Sequence, residues 1–197
     1  IRVRNIVHSL FSLFHPKEFE RHQKAIATAR AGNVIGGGDW SEDRLVPDIV
    51  RAIQAQTDII IRNPDAIRPW QHVLEPLYGY LLLAEKLYHD PSKYDGAWNF
   101  GPYPEEVLKV KDVVQKAIDM MNMGSYIVQK DNKNPHEAML LKLDISKSLN
   151  LLNWRPRLTT QEAITWTLRW YKELSNNREE IFDYSAKSVQ DYLKLCN

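Results

Sequence analysis

Apolar and polar positions switch repeatedly along this chain between a repeat near 3.6 and short continuous runs, and that alternation predicts strand following helix following strand. Ile6, Val7, Leu10, Leu13 and Phe14 fall on one helical stripe, followed by the Phe14-His15-Pro16 break and a charged connection through Lys24. A strand is predicted over 25–31, ended by glycines, and a helix over 45–56 that buries Val46, Ile49, Val50 and Ile53. Asp43 or Ser41 is placed to cap this helix, and Pro47 is tolerated in its first turn, where its missing N–H has no partner to lose.

A β-branched strand follows at 59–61, a turn at 62–65 and an extended piece at 71–73. Leu77, Tyr80, Leu81, Ala84 and Leu87 predict the buried face of a helix over 77–89, closed by Asp90-Pro91. Further on come a strand at 97–100, a helix at 111–121, strands at 126–129 and 139–143 around the polar loop 130–135, and helices near Ser146 and over 160–173. Ile181, Tyr184, Val189 and Tyr192 suggest a last helix in a more polar tail. The order of elements is that of an α/β protein. The chain opens on Ile1 within an amphipathic run, as a fragment cut inside a domain would.

Composition narrows the function classes. With 197 residues, 44% of them hydrophobic, the chain can bury a core of its own. Twenty-six basic against 25 acidic side chains leave a net charge of +1, so neither nucleic acid nor an anionic membrane is favoured as a partner. The single cysteine, Cys196, excludes an internal disulfide framework and a cysteine metal cluster, which fits a reducing compartment and hence the cytoplasm. No apolar run reaches the roughly 20 residues of a membrane span, and the six histidines have no metal-ligand spacing.

Candidate chemistry gathers in three strings. In 29–40 an apolar strand runs through Asn33 into Gly36-Gly37-Gly38, where backbone can come close to a phosphorylated ligand at the carboxyl end of a strand. A tight turn uses glycine for the same steric reason, so the triplet alone leaves both readings open. Arg44 stands at a helix start, which favours anions, although an arginine there is equally an ordinary solvated one. Arg68 precedes Pro69 on a stiffened extended segment, where a guanidinium can be held for a bidentate phosphate contact. Trp70 and His72 read as packing and orienting residues, and His136, in the loop 134–138, can donate to a phosphate or be merely solvated.

The string 30–40, the segment Ile67-Arg68-Pro69-Trp70-Gln71-His72-Val73-Leu74-Glu75-Pro76 and the later Leu152-Asn153-Trp154-Arg155-Pro156 resemble the second half of an extended short-chain dehydrogenase/reductase of the NAD-dependent epimerase/dehydratase family. The Arg-Pro-Trp string is the version typical of the CDP-glucose dehydratases within it. The resemblance covers roughly residues 6–175. It implies a partial Rossmann-type fold: the last strands of the parallel sheet plus the smaller α/β substrate-binding lobe. Its divisions would be 1–32 as a remnant of the dinucleotide-binding domain, 33–175 as mainly the sugar-nucleotide lobe with a return strand near 97–101, and 176–197 as a helical tail.

The same resemblance implies substrate contacts from Asn33, Arg44 and Arg68 on the diphosphate, Ile61 and Arg62 beside the nucleobase, and His136 near diphosphate or ribose. The parent would convert CDP-glucose to CDP-4-dehydro-6-deoxyglucose with tightly held NAD, and as a homodimer. Its Tyr-x-x-x-Lys catalytic pair is expected upstream of residue 1, so the chain alone would not catalyse. A dTDP-glucose dehydratase, an epimerase or a non-catalytic sugar-nucleotide module remain as alternatives.

Overall fold

A computed structural model of the chain describes residues 26–129 and 141–197. The opening helix, the connection through Lys24, the loop 130–135 and His136 therefore lie outside the described residues.

Alanine alternates with Thr28 and Arg30 in strand β1 (Ala27–Ala31), which pairs in parallel with β6 (Gly96–Phe100). At Gly32 the same extended stretch changes partner. Gly32 donates its N–H to the Phe100 carbonyl at 3.1 Å, whereas the Asn33 N–H goes to the Pro69 carbonyl at 3.0 Å. From there β2 (Asn33–Ile35) runs parallel to β5 (Trp70–His72), with Asn33 opposite Trp70. A Cβ at residue 32 would stand 2.6 Å from the Pro69 oxygen, so the crossover requires glycine.

Two further pairs occur among the described residues: β3 (Ile59–Ile61) parallel to β8 (Tyr126–Val128), and β4 (Ile67–Arg68) antiparallel to β7 (Leu108–Lys109). The strand expected at 139–143 is not found over its described part. Residues 141–143 form no ladder, and a single bond from the Leu141 N–H to the Ile67 carbonyl, 3.3 Å, ties them to β4.

Helix α1 (Leu45–Gln54) buries Val46, Ile49, Val50 and Ile53, the face its spacing predicts. Its start differs from expectation, because neither Asp43 nor Ser41 caps it. Arg44 is the N-cap, in extended conformation and without a side-chain bond, and Asp43 takes a left-handed φ of 57°. The Ser41 N–H is instead engaged by Asp39 Oδ1 at 3.0 Å, which makes a turn ahead of the helix.

Helix α2 (Leu74–His89) starts earlier than predicted and buries a different face. Glu75, Pro76, Gly79 and Leu83 point inward, while Leu77 (47% exposed) and Leu81 (73% exposed) face out. Tyr80 and Leu87 do pack, partly buried, against the cluster beneath. Apolar residues cover most of this helix, so period alone does not mark its docked side. A short α3 (Pro91–Tyr94), α4 (Val110–Met121), α5 (Ser146–Asn150) and α6 (Thr160–Asn176) come after it. A reciprocal capping box between Thr159 and Glu162 starts α6.

Two apolar clusters result. One joins α1, β3, α4 and α6 around Ile49, Val113, Ile164 and Leu168. The other surrounds Phe100 and Trp154, whose rings meet edge-on at 5.0 Å, and includes Leu83, Trp98 and Ile145. The last helix, α7 (Ile181–Cys196), is docked rather than loose: Tyr192 is buried against α2, and the Trp170 Nε1–H donates to Ser185 Oγ at 2.8 Å.

Candidate functional site

The crossover at Gly32 sets the site, because it carries Asn33 beyond the end of β1 and lays it beside the segment that holds Arg68. An open cavity of about 760 Å³ lies there, with Asn33, Asp43, Arg51, Ile61, Arg62 and Arg68 on its wall. Four residues expected from sequence, scattered over 36 positions from Asn33 to Arg68, thus meet in one place. Its volume lies within the range usual for small-molecule sites.

Arg68 is the buried cation of this group, 8% exposed, and its Nη1–H donates to the Ile67 carbonyl at 2.9 Å. Antiparallel pairing of β4 with β7 and the stiff Pro69 behind it fix where that guanidinium sits. Arg62 follows β3 at the rim, more than half exposed, with its guanidinium 3.6 Å from Asp43. Ile61 is packed and Ile60 exposed, and both present apolar surface to the cavity.

Two expected site residues are not assembled here. Arg44 is exposed and off the cavity wall, which is lined by its neighbours Asp43 and Leu45. Arg44 is a single extended residue between Asp43 in left-handed backbone and Leu45, the first residue of α1. His136 lies outside the described residues.

The glycine triplet also has a different cause from the one its motif suggests. Its residues are absent from the cavity wall. A Cβ on Gly37 would fall 2.0 Å from the Trp170 ring, and one on Gly36 would fall 2.8 Å from Val73 Cγ1. These glycines let protein pack against protein, and Gly38, at φ 82°, completes the turn.

Arg51 escaped the sequence reading. In the last turn of α1, it donates to the Trp40 carbonyl at 2.8 Å and the Ser41 carbonyl at 3.0 Å, and pairs with Asp48. Its only sequence signal is the Asp48/Arg51 spacing of three residues, common on any helix. Asp39, one residue before Trp40, has its carboxyl held below the usual value by backbone and side-chain bonds from Ser41.

Behind the triplet, between β5, α6 and α7, lies a second cavity of about 390 Å³ that reaches His72, Trp166 and Trp170. Burial pulls His72 down to about 4, its Nδ1 accepts from the Leu74 N–H at 3.4 Å, and its ring meets Trp166 edge-on at 5.8 Å. Trp70 and His72 are buried, as expected of packing residues.

Tyr126 and Lys130 have the spacing of a Tyr-x-x-x-Lys pair, but Tyr126 belongs to strand β8, not to a helix. Only on a helix are residues four apart close neighbours. A Gly-x-x-Gly-x-x-Gly turn occurs nowhere in the chain, so the residues present do not fit a dinucleotide site. Among the described residues no group of three metal-ligating side chains is found, and no helix is long and apolar enough to cross a membrane.

No protein-family model matches the chain. It is 43% identical over 183 residues to CDP-glucose 4,6-dehydratase of Salmonella typhimurium, an alignment covering 92% of this chain and 50% of that protein. The structure is similar to UDP-glucose-4-epimerase of Stenotrophomonas maltophila, solved with NAD and formylated UDP-arabinopyranose (TM-score 0.69, 16% identity, 89% of this chain and 55% of that one). It also resembles dTDP-glucose 4,6-dehydratase of Bacillus anthracis, solved with NAD (TM-score 0.63, 15% identity, 84% and 49%). The chain spans about half the length of these relatives. It is homologous over most of its length to half of a CDP-glucose 4,6-dehydratase, and its fold is that part of the Rossmann-type architecture of the extended short-chain epimerases and dehydratases.

Proposed function

We propose that this chain is the substrate-binding half of a CDP-glucose 4,6-dehydratase, which binds and orients the nucleotide sugar while groups outside these residues carry out the chemistry. The observation that carries the proposal is the convergence of Asn33, Ile61, Arg62 and Arg68 on one cavity in a chain 43% identical to such an enzyme. Arg68 and Arg62 offer guanidinium donors to a diphosphate, Asn33 an amide, and Ile61 an apolar wall for a base.

Residues 33–175 form the sugar-nucleotide lobe, with 97–101 returning as a strand to the remnant of the dinucleotide domain that ends at 32, and 176–197 form the tail. NAD, when bound in the parent enzyme, supplies hydride acceptance and return. The parent is a cytoplasmic homodimer. Removing positional freedom from the sugar is the contribution expected of this half.

Calorimetric titration of the chain with CDP-glucose, dTDP-glucose and UDP-glucose tests the reading. CDP-glucose is expected to bind best, and Arg68→Ala to weaken it by about ten- to a hundredfold, the equivalent of one charge-assisted contact of about 1.5–3 kcal/mol. A folded chain that takes up none of the three overturns it. Preference for dTDP-glucose would favour a dTDP-sugar dehydratase instead.

A further inference from the structure

We propose that Arg51 is a positioning residue for this cavity: it ties the loop 39–44 to α1 and so holds in place the wall that faces Arg62 and Arg68. The inference rests on the reading of the cavity as a nucleotide-sugar site.

Three bonds carry it. The planar guanidinium reaches the Trp40 carbonyl at 2.8 Å through Nη1 and the Ser41 carbonyl at 3.0 Å through Nη2, and Nη2 also engages Asp48 on the same helix. Asp48 anchors the fork from the helix side, so that it clamps two consecutive carbonyls of the loop. A lysine, with a single point of attachment, could not hold both in the same way.

A second anchor lies on the far side of the loop. Tyr171 of α6 donates its hydroxyl to the Asp39 carbonyl at 2.6 Å, and its ring meets Trp40 edge-on at 5.4 Å. Tyr171 thus fixes the entry of the loop and Arg51 fixes its middle. Two residues beyond Ser41 stands Asp43, in left-handed backbone and 3.6 Å from Arg62. Past Ser41 no side chain caps α1 and the Asp43–Arg62 pair is an exposed, weak tie, so the position of Asp43 and Leu45 on the cavity wall depends mainly on how firmly 40–41 is held. Without Arg51 the loop samples other positions. A site that is competent only part of the time binds with an affinity reduced by that fraction.

The test compares the 197-residue chain with Arg51→Ala and Arg51→Lys by calorimetry with CDP-glucose, and by hydrogen exchange at 40–44 with and without that ligand. Arg51→Ala is expected to bind about tenfold more weakly, with a more favourable enthalpy outweighed by ordering entropy. Amides at 40–44 should exchange faster in the free variant and regain protection when ligand saturates it, and Arg51→Lys should fall between. Unchanged exchange at 40–44 in Arg51→Ala overturns the proposal. So does faster exchange with unchanged affinity, which would make the clamp structural only. Weaker binding with unaltered loop exchange would make Arg51 a direct ligand contact, which also overturns it. Failure of the unsubstituted chain to bind any nucleotide sugar is the separate failure of the functional reading, and shows itself before any variant is compared.

Discussion

The Tyr192 hydroxyl, near the end of α7, donates to Oε2 of Glu75 at 2.9 Å, 117 residues away at the start of α2. The other carboxylate oxygen accepts the N–H groups of Arg157 (2.8 Å) and Leu158 (2.7 Å). Glu75 is 1% exposed, and burial pushes its carboxyl above the ordinary value although all three donors oppose that shift. One side chain therefore joins α2, the loop before α6 and the last helix.

Glu75→Ala should strand three donors, two of them buried, and cost about 3 kcal/mol or more, whereas Tyr192→Phe, which removes one bond to the carboxylate, should cost about 1–2 kcal/mol. Urea unfolding of both variants measures this. A neutral Glu75→Ala would show that α7 is held by its apolar contacts alone.

Acid should loosen the fold through His72. Its folded value of about 4 lies below the unfolded 6.5, so its stabilisation is complete above pH 6.5 and is lost as pH falls toward 4, about 3 kcal/mol in all. Glu75 acts in the opposite sense: its raised folded value makes its contribution largest below about 4.5 and smaller as pH rises through that raised value. Thermal unfolding from about pH 7.5 to about pH 4.5 should show a falling midpoint in the natural chain and a flatter profile in His72→Gln. Parallel profiles for the two would remove His72 as the cause.

Gly37→Ala should cost about 1–3 kcal/mol, because the added methyl group would overlap the Trp170 ring. Trp170→Leu in the same chain should recover part of that loss. Equal costs in the two backgrounds would mean that the glycine is required for another reason.

Among the cavity arginines, the order of effect on CDP-glucose affinity should track position. Arg68→Ala should lose most, since its guanidinium is buried at the wall; Arg62→Ala should lose less, being exposed at the rim; Arg44→Ala should change little. A large loss for Arg44→Ala would place the anion at the start of α1 instead.

Most strands and helices were legible because a 3.6 period or a β-branched run is local: Val46, Ile49, Val50 and Ile53 share a face in any helix over those positions. Leu77 and Leu81 defeat the same argument, since a helix apolar on most sides leaves the choice of docked face to its neighbours, here Phe100 and Trp154. In the site, Asn33 and Arg68 could be found from strings that resemble known ones. Arg51 could not, because its partners are backbone carbonyls that come within reach only when the loop folds back over α1.

By itself the sequence determined the α/β order of elements, the kinship with nucleotide-sugar dehydratases and the four residues that now line one cavity, all of which depend on residue type at fixed spacing. Only the tertiary structure decided that Gly36 and Gly37 serve packing, that Arg44 lies off the cavity wall, that Arg51 clamps the loop and that Glu75 anchors the last helix. Those are contacts between residues far apart in the chain, and sequence spacing carries no information about which distant groups burial will bring within hydrogen-bond distance.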